Sequence, residues 1–218
     1  MCKFRWQNRI YINSNKNNNI IVSHSGGIMH LKDIVMKLKN DPRNKQYTDR
    51  GIGPIFQFNK NSKILIIGQA PGKKVEESGI LFNDKSGENL VDWMGISMET
   101  LDGKDFSIIP MDFYFPGKGK SGDKAPRKFI AKEYHPILLQ ELEDVKLTIL
   151  IGSYAQKFYL KDEFKKNLTE TVKNFNDYLP TYFPIVHPSP LNNRWMAKNA
   201  FFKDKTLPEL KKIIKNIL

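Results

Sequence analysis

His187 stands in the run His187-Pro188-Ser189-Pro190-Leu191, directly after an apolar stretch, Tyr182–Val186. A histidine at the end of a strand is more often structural than chemical. Two flanking prolines shift that balance, because they hold its loop rigid. A donor fixed in advance is what stabilising a developing anion requires. In the same run Ser189 suits a phosphate contact and Leu191 an apolar wedge. A second run, Gly68-Gln69-Ala70-Pro71-Gly72, follows the apolar stretch Ile64–Ile67. Small residues there let backbone N–H groups approach a ligand closely. Pro71 stiffens the loop and Gly72 permits a positive φ. An ordinary strand–helix turn is the alternative. A Walker phosphate loop is excluded, because no Gly-Lys-Ser/Thr follows at the required spacing. One turn of chain later comes Phe82-Asn83-Asp84, whose aspartate is placed to cap a helix beginning near Ser86.

These residues need a frame that brings strand ends together. Four short apolar runs read as buried parallel strands: Ile64–Ile67, Phe106–Ile109, Leu147–Ile151 and Tyr182–Val186. Helical patterns lie between and around them, over His30–Leu38, Ser86–Trp93, Phe129–Leu142, Tyr154–Leu160, Leu168–Phe175 and Leu207–Leu218. The stretch Gln46–Asn61 reads as a loop. Strands alternating with helices imply a three-layer α/β/α sandwich around a mainly parallel four-stranded sheet. Loops leaving the carboxyl ends of such strands form a site along one sheet edge. Residues 1–28 stand apart: the polar tract Asn13–Asn19 has no periodicity, so this segment is expected to be peripheral or poorly ordered, with one domain over 29–218.

The 218 residues suffice for one sizeable α/β core. Cys2 is the single cysteine, which excludes an intramolecular disulfide and a cysteine-built zinc or iron–sulfur site. No apolar run reaches membrane-spanning length, no secretory signal opens the chain, and a cytoplasmic protein is expected. Lys and Arg outnumber Asp and Glu 35 to 23, a formal charge of +12. That excess favours an anionic partner such as nucleic acid or acidic lipid. A composition rich in Lys, Asn and Ile accounts for it equally well.

The order GQAPG, then GILFND, then HPSPLN resembles the signature motifs of the uracil-DNA glycosylase superfamily. The loop Phe115–Gly122 is similar to the Pro/Gly loop after that family's second strand. The resemblance runs from Ile64 to about Leu218. It implies excision of uracil, or a related deaminated base, from DNA by a monomeric enzyme that needs no cofactor and no metal. The damaged nucleotide is flipped out of the duplex and read in a pocket. By residue-wise transfer, His187 donates a hydrogen bond to the departing base. Backbone amides around Gln69 and Ala70 assist, Phe82 stacks on the flipped ring, Ser189 holds a phosphate, and Leu191 fills the gap in the stack.

The chain departs from the family at two places. Ala70 stands where the best-known branch carries an aspartate that positions water. A further branch uses an aspartate just after the stacking phenylalanine, and Asp84 resembles it; Gln69 is next in line. The second strand ends in Ile109-Pro110-Met111-Asp112, without the asparagine that discriminates uracil from cytosine. Asn83 is a substitute amide, or the pocket is less selective. Asp112 either faces the pocket or is solvated. Lys73, Lys74, Lys118, Lys120 and Arg194 flank the motif loops; each lines a DNA-backbone track or is a solvated surface charge. His135, followed by proline, reads as structural. The alternatives in function are a catalytically altered nucleic-acid-binding relative and a hydrolase of free nucleosides or nucleotides.

Overall fold

An apolar run of four or five residues is buried on both faces only where helices cover a sheet from two sides. The computed structural model describes residues 20–22, 28–120 and 122–218, and for 20–22 and 28–30 only the course of the backbone. A short antiparallel pair, β1 (Ile20–Val22) and β2 (Ile28–His30), precedes the main sheet. The rest of the segment expected to be atypical lies outside the described residues. The main strands are β3 (Ile64–Ile67), β4 (Phe106–Ile108), β5 (Leu147–Ile151) and β6 (Tyr182–Ile185). They lie in the order β4-β3-β5-β6, and every pairing is parallel.

Ten α-helices accompany them among the described residues. They are α1 (Leu31–Asn40), α2 (Lys45–Thr48), α3 (Lys73–Ser78), α4 (Lys85–Met94), α5 (Met98–Leu101), α6 (Lys128–Leu139), α7 (Gly152–Leu160), α8 (Leu168–Lys173), α9 (Asn193–Lys198) and α10 (Leu207–Ile217). Alternate strand residues feed two cores. Leu65, Ile67 and Leu150 pack with Ile34 and Leu38 of α1 and Ile130 and Leu138 of α6. Ile64, Ile66, Ile149, Phe183 and Ile185 pack with Leu90 of α4, Val172 of α8 and Leu210 of α10. Each such side chain, fully buried, contributes about 1.5–3 kcal/mol. The three-layer sandwich expected from the sequence is therefore the fold. No helix among the described residues is long and apolar enough to cross a membrane.

The differences from expectation are local. The stretch 46–61 is more than a loop: α2 opens it, and Gln57 pairs with Ile108 of β4. Gln57 N donates to Ile108 O and Ile108 N to Gln57 O, both at 2.8 Å. The Gln57 side chain adds donations to Leu101 O at 3.1 Å and Phe106 O at 3.0 Å. This single bridge covers the edge of β4 that a parallel neighbour leaves open. Helices α2, α3, α5 and α9 have four to six residues, too few to display a helical period.

Asp112 neither faces a pocket nor meets solvent. It is fully buried. Its carboxylate accepts from Arg127 Nε at 2.8 Å, Arg127 Nη2 at 2.8 Å, Arg127 N at 3.0 Å and Tyr114 N at 3.1 Å. These bonds tie the segment after β4 to the start of α6. Arg127 in turn lies 4.8 Å from the Tyr47 ring centre. Removing one partner of a buried, bidentate pair leaves the other charge uncompensated. Asp112→Ala is expected to lower stability by about 3–5 kcal/mol in urea denaturation; a loss below about 1 kcal/mol would contradict an anchoring role, being what an exposed pair contributes.

Candidate functional site

The loop after β3 is fastened before it opens. Gly68 O accepts from Met111 N at 2.9 Å and Gln69 O from Asp112 N at 3.1 Å. Pairing with the neighbouring segment thus continues past the strand ends. The Gln69 side chain donates to Lys124 O at 3.3 Å, which draws the hairpin after Phe115 towards the loop. Gly72 does not use the left-handed region expected of it; its φ is −80° at the start of α3. Close packing does not call for glycine at either position. Gly68 is buried, yet a Cβ built on it would meet nothing within 4 Å, and the same holds at Gly72. Ala70 and Gln69 are half-buried beside this open volume.

The Phe82 turn is the strained part of the site. Phe82 has φ +54°, a left-handed conformation that costs a bulky residue roughly 1–3 kcal/mol. Two features hold it. Asp84 caps α4, its Oδ1 accepting from Ser86 N at 2.9 Å and Gly87 N at 3.1 Å. Gly87 sits on α4 beneath the Phe82 carbonyl: a Cβ there would lie 1.8 Å from Phe82 O. Only glycine admits that approach. The capping alternative for Asp84 is thus realised, and it uses one carboxylate oxygen. Asn83 is exposed at the tip of the turn.

His187 is held by two hydrogen bonds. Its backbone carbonyl accepts from Asn192 Nδ2 at 2.8 Å. Its Nδ1 accepts from Ser189 N at 3.2 Å. A Cβ on Gly152, which opens α7 with φ +80°, would lie 3.9 Å from the His187 Cβ. With Nδ1 an acceptor, a neutral ring carries its proton on Nε2. Burial pushes the imidazole pKa below its ordinary 6.5, and the charges of Asp84 and Asp123 pull the other way. The ring is therefore a neutral Nε2–H donor within electrostatic reach of two carboxylates. His135 is structural, as expected: fully buried, it bonds Pro110 O at 3.0 Å and the Tyr159 hydroxyl, and burial drives its pKa down to about 4.

The structure brings the Phe82–Asp84 turn and the His187 loop together. Asn89 of α4 donates to Pro188 O at 2.7 Å, and the Asp84 charge is felt at His187. Gln69 joins through the hairpin that carries Asp123. Ser189 accepts from Leu191 N at 3.3 Å. Leu191 is 85% exposed, which removes core packing as its role. The cations are less uniform. Lys118 pairs with Asp123 at 2.6 Å and Lys73 with Glu77 at 3.8 Å, whereas Lys74, Lys120 and Arg194 are exposed. Among the described residues no group of three or more His, Cys, Asp or Glu could hold a metal ion.

Gly87, Asn89, Asp123 and Gly152 take part without having been read from the sequence. Gly87 alone carried a signal, as a glycine inside a helical pattern. Chemically, the arrangement offers a neutral donor, a carboxylate whose charge reaches it and an aromatic ring on the neighbouring turn. A family model described as the uracil DNA glycosylase superfamily matches residues 55–211 of the chain. Among solved structures, a candidate uracil DNA glycosylase from Methanosarcina acetivorans, determined by solution NMR, is similar at 13% identity and a TM-score of 0.44, covering 73% of this chain and 93% of that one.

The Phe82–Gly87 contact generates a direct test. Gly87→Ala forces a methyl against a backbone carbonyl, so the Phe82 turn must move. Stability is expected to fall by about 1–3 kcal/mol, the usual cost of overpacking. Denaturant unfolding measures it. Parental stability would mean that the turn is not held by this approach.

Proposed function

The chain belongs to the uracil DNA glycosylase superfamily, and on that premise we propose that it hydrolyses the N-glycosidic bond of uracil, or of a similar deaminated base, in DNA. The observation that carries this reading is the His187 donor: neutral, preorganised on a proline-stiffened loop, and within reach of the Asp84 charge. The base leaves with the electron pair of the broken C1′–N1 bond, and negative charge spreads to its carbonyl oxygens. His187 Nε2–H donates to that developing anion, and it does so without needing a second proton. Backbone amides around Gln69 and Ala70 assist. The sugar becomes cationic, and the free oxygen of Asp84 faces it. Water then bonds to C1′ and gives its proton to that carboxylate.

Phe82 stacks on the extruded ring, a contact that contributes about 1–3 kcal/mol per base. Asn83 is placed to read the base edge in place of the absent second-strand asparagine. Ser189 holds a phosphate, while Lys73, Lys74, Lys118, Lys120 and Arg194 track the backbone. The protein acts as a monomer, and no cofactor enters the reaction.

Uracil-containing oligonucleotides, treated with alkali and run on a gel beside free nucleosides, test the activity. Strand breaks at uracil are expected. Binding without breaks would favour a catalytically altered relative, a reading that Ala70 and the capping role of Asp84 keep in view. Cleavage of nucleosides alone would favour the free-nucleoside hydrolase.

Single-turnover rates test the roles. His187→Ala should slow excision about 100- to 1,000-fold; an unchanged rate would remove His187 from the site. Asp84→Asn is discriminating because asparagine caps a helix as well as aspartate does. The fold should survive, so a large rate loss belongs to the charge. A silent Asp84→Asn would leave Asp84 as a cap and shift the water to Gln69.

Leu191 gives an independent test of flipping. Being exposed, it can be truncated without a cavity, so Leu191→Ala should keep the parental melting temperature. Excision from paired duplex should slow more than excision from single strands, because unstacking a paired base costs a few kcal/mol. Equal losses on both substrates would contradict a wedge.

A further inference from the structure

Asn89 lies on α4, 99 residues from Pro188 in sequence, and its Nδ2 donates to the Pro188 carbonyl oxygen at 2.7 Å. That carbonyl belongs to the same peptide unit as the Ser189 N–H, which donates to His187 Nδ1 at 3.2 Å. We propose that Asn89 is a positioning residue: through the Pro188–Ser189 peptide it fixes the His187 ring in the tautomer that carries its proton on Nε2. The inference rests on the proposed function for its consequence in catalysis, and on these two hydrogen bonds for its geometry.

A peptide group is planar, and its C=O and N–H point in opposite directions. Orienting one end therefore orients the other. Pro188 has a fixed φ of its own. The remaining freedom is rotation of the 188–189 peptide about its flanking single bonds. Such a rotation would carry the Ser189 N–H away from Nδ1 and leave the ring free to exchange tautomers. The Asn89 bond resists it from the outer face. It also polarises the amide, which strengthens the N–H as a donor. The other bond at this residue, Asn192 Nδ2 to His187 O at 2.8 Å, holds the backbone and does not reach the ring. Because α4 also carries the Asp84 cap and Gly87, the same helix that sets the Phe82 turn sets the imidazole.

The chain has four histidines, which keeps the spectra simple. Long-range ¹H–¹⁵N NMR of the full chain, labelled at histidine nitrogen, reads each tautomer directly. The His187 signals are those lost in His187→Ala. In the parental protein they should show an Nε2–H ring. In Asn89→Leu the Nδ1–H form should become substantially populated, and single-turnover excision should fall about tenfold, within what misplacing a catalytic group costs. DNA affinity by fluorescence anisotropy should stay within about twofold, a change of roughly 0.4 kcal/mol. Asn89→Asp keeps the side-chain volume and presents an acceptor to the carbonyl, so it serves as the second variant if the leucine disturbs folding; its tautomer shift should be at least as large. An unchanged His187 signature in the folded variants would overturn the proposal, even if the melting temperature fell. If the parental protein releases no uracil but the tautomer still moves, the positioning stands and the glycosylase reading fails. If uracil is released and the tautomer does not move, the positioning alone fails.

Discussion

Parallel pairing of β3 on both sides is the constraint from which the rest of the structure follows. Ile64–Ile67 is apolar at every position and pairs with β4 and β5 in the same direction. With β6 also parallel, the strands deliver their following loops to one edge. The sheet order reverses direction between β3 and β5, the switch point at which α/β sheets place their ligands. Pairing continues beyond β3, through Gly68 and Gln69 to Met111 and Asp112, so the wall beside the switch point is hydrogen-bonded backbone. The buried Asp112–Arg127 pair then pins that wall to α6.

Beside this edge, α4 acts as a second frame. Its cap residue is Asp84, its third residue is Gly87, and its fifth is Asn89. The first bears the charge felt at His187, the second admits the Phe82 carbonyl, and the third grips the His187 loop. Helical geometry places such positions at fixed offsets. Their relative placement therefore depends on one rigid element rather than on three loops. The prolines around Ser189 reduce the remaining freedom of the His187 loop, and the single-residue strain at Phe82 is confined where the helix can oppose it.

Much of this was legible in the sequence because it rests on short-range signals. Four apolar runs gave the strands to within a residue, and glycine and proline marked the loops that follow them. The position of His187 in the loop after β6 followed from the same signals, whereas Phe82 lies in the turn between α3 and α4. What stayed hidden depends on contacts between distant segments. Asn89 looks like any polar residue on a helix until Pro188 is brought to it. Asp112 gives no local sign that Arg127 will bury it. Gln57 lies in a stretch without strand periodicity, yet one bridge is enough to close the edge of β4. Gly72 shows the opposite error: glycine permits a positive φ, but its φ is −80° and a Cβ there would meet nothing within 4 Å, so neither conformation nor close contact calls for glycine.

On the proposed function, a base is held between the Phe82 ring and the His187 Nε2–H beside the β3–β5 switch point. A crystal structure with duplex DNA carrying a non-hydrolysable 2′-fluoro-deoxyuridine measures it most directly. An extruded uracil stacked on Phe82 is expected, with its O2 about 2.7–3.1 Å from His187 Nε2 and Leu191 in the vacated stack. Uracil left in the duplex, or bound with Nε2 turned away from it, would rule out this mode of binding.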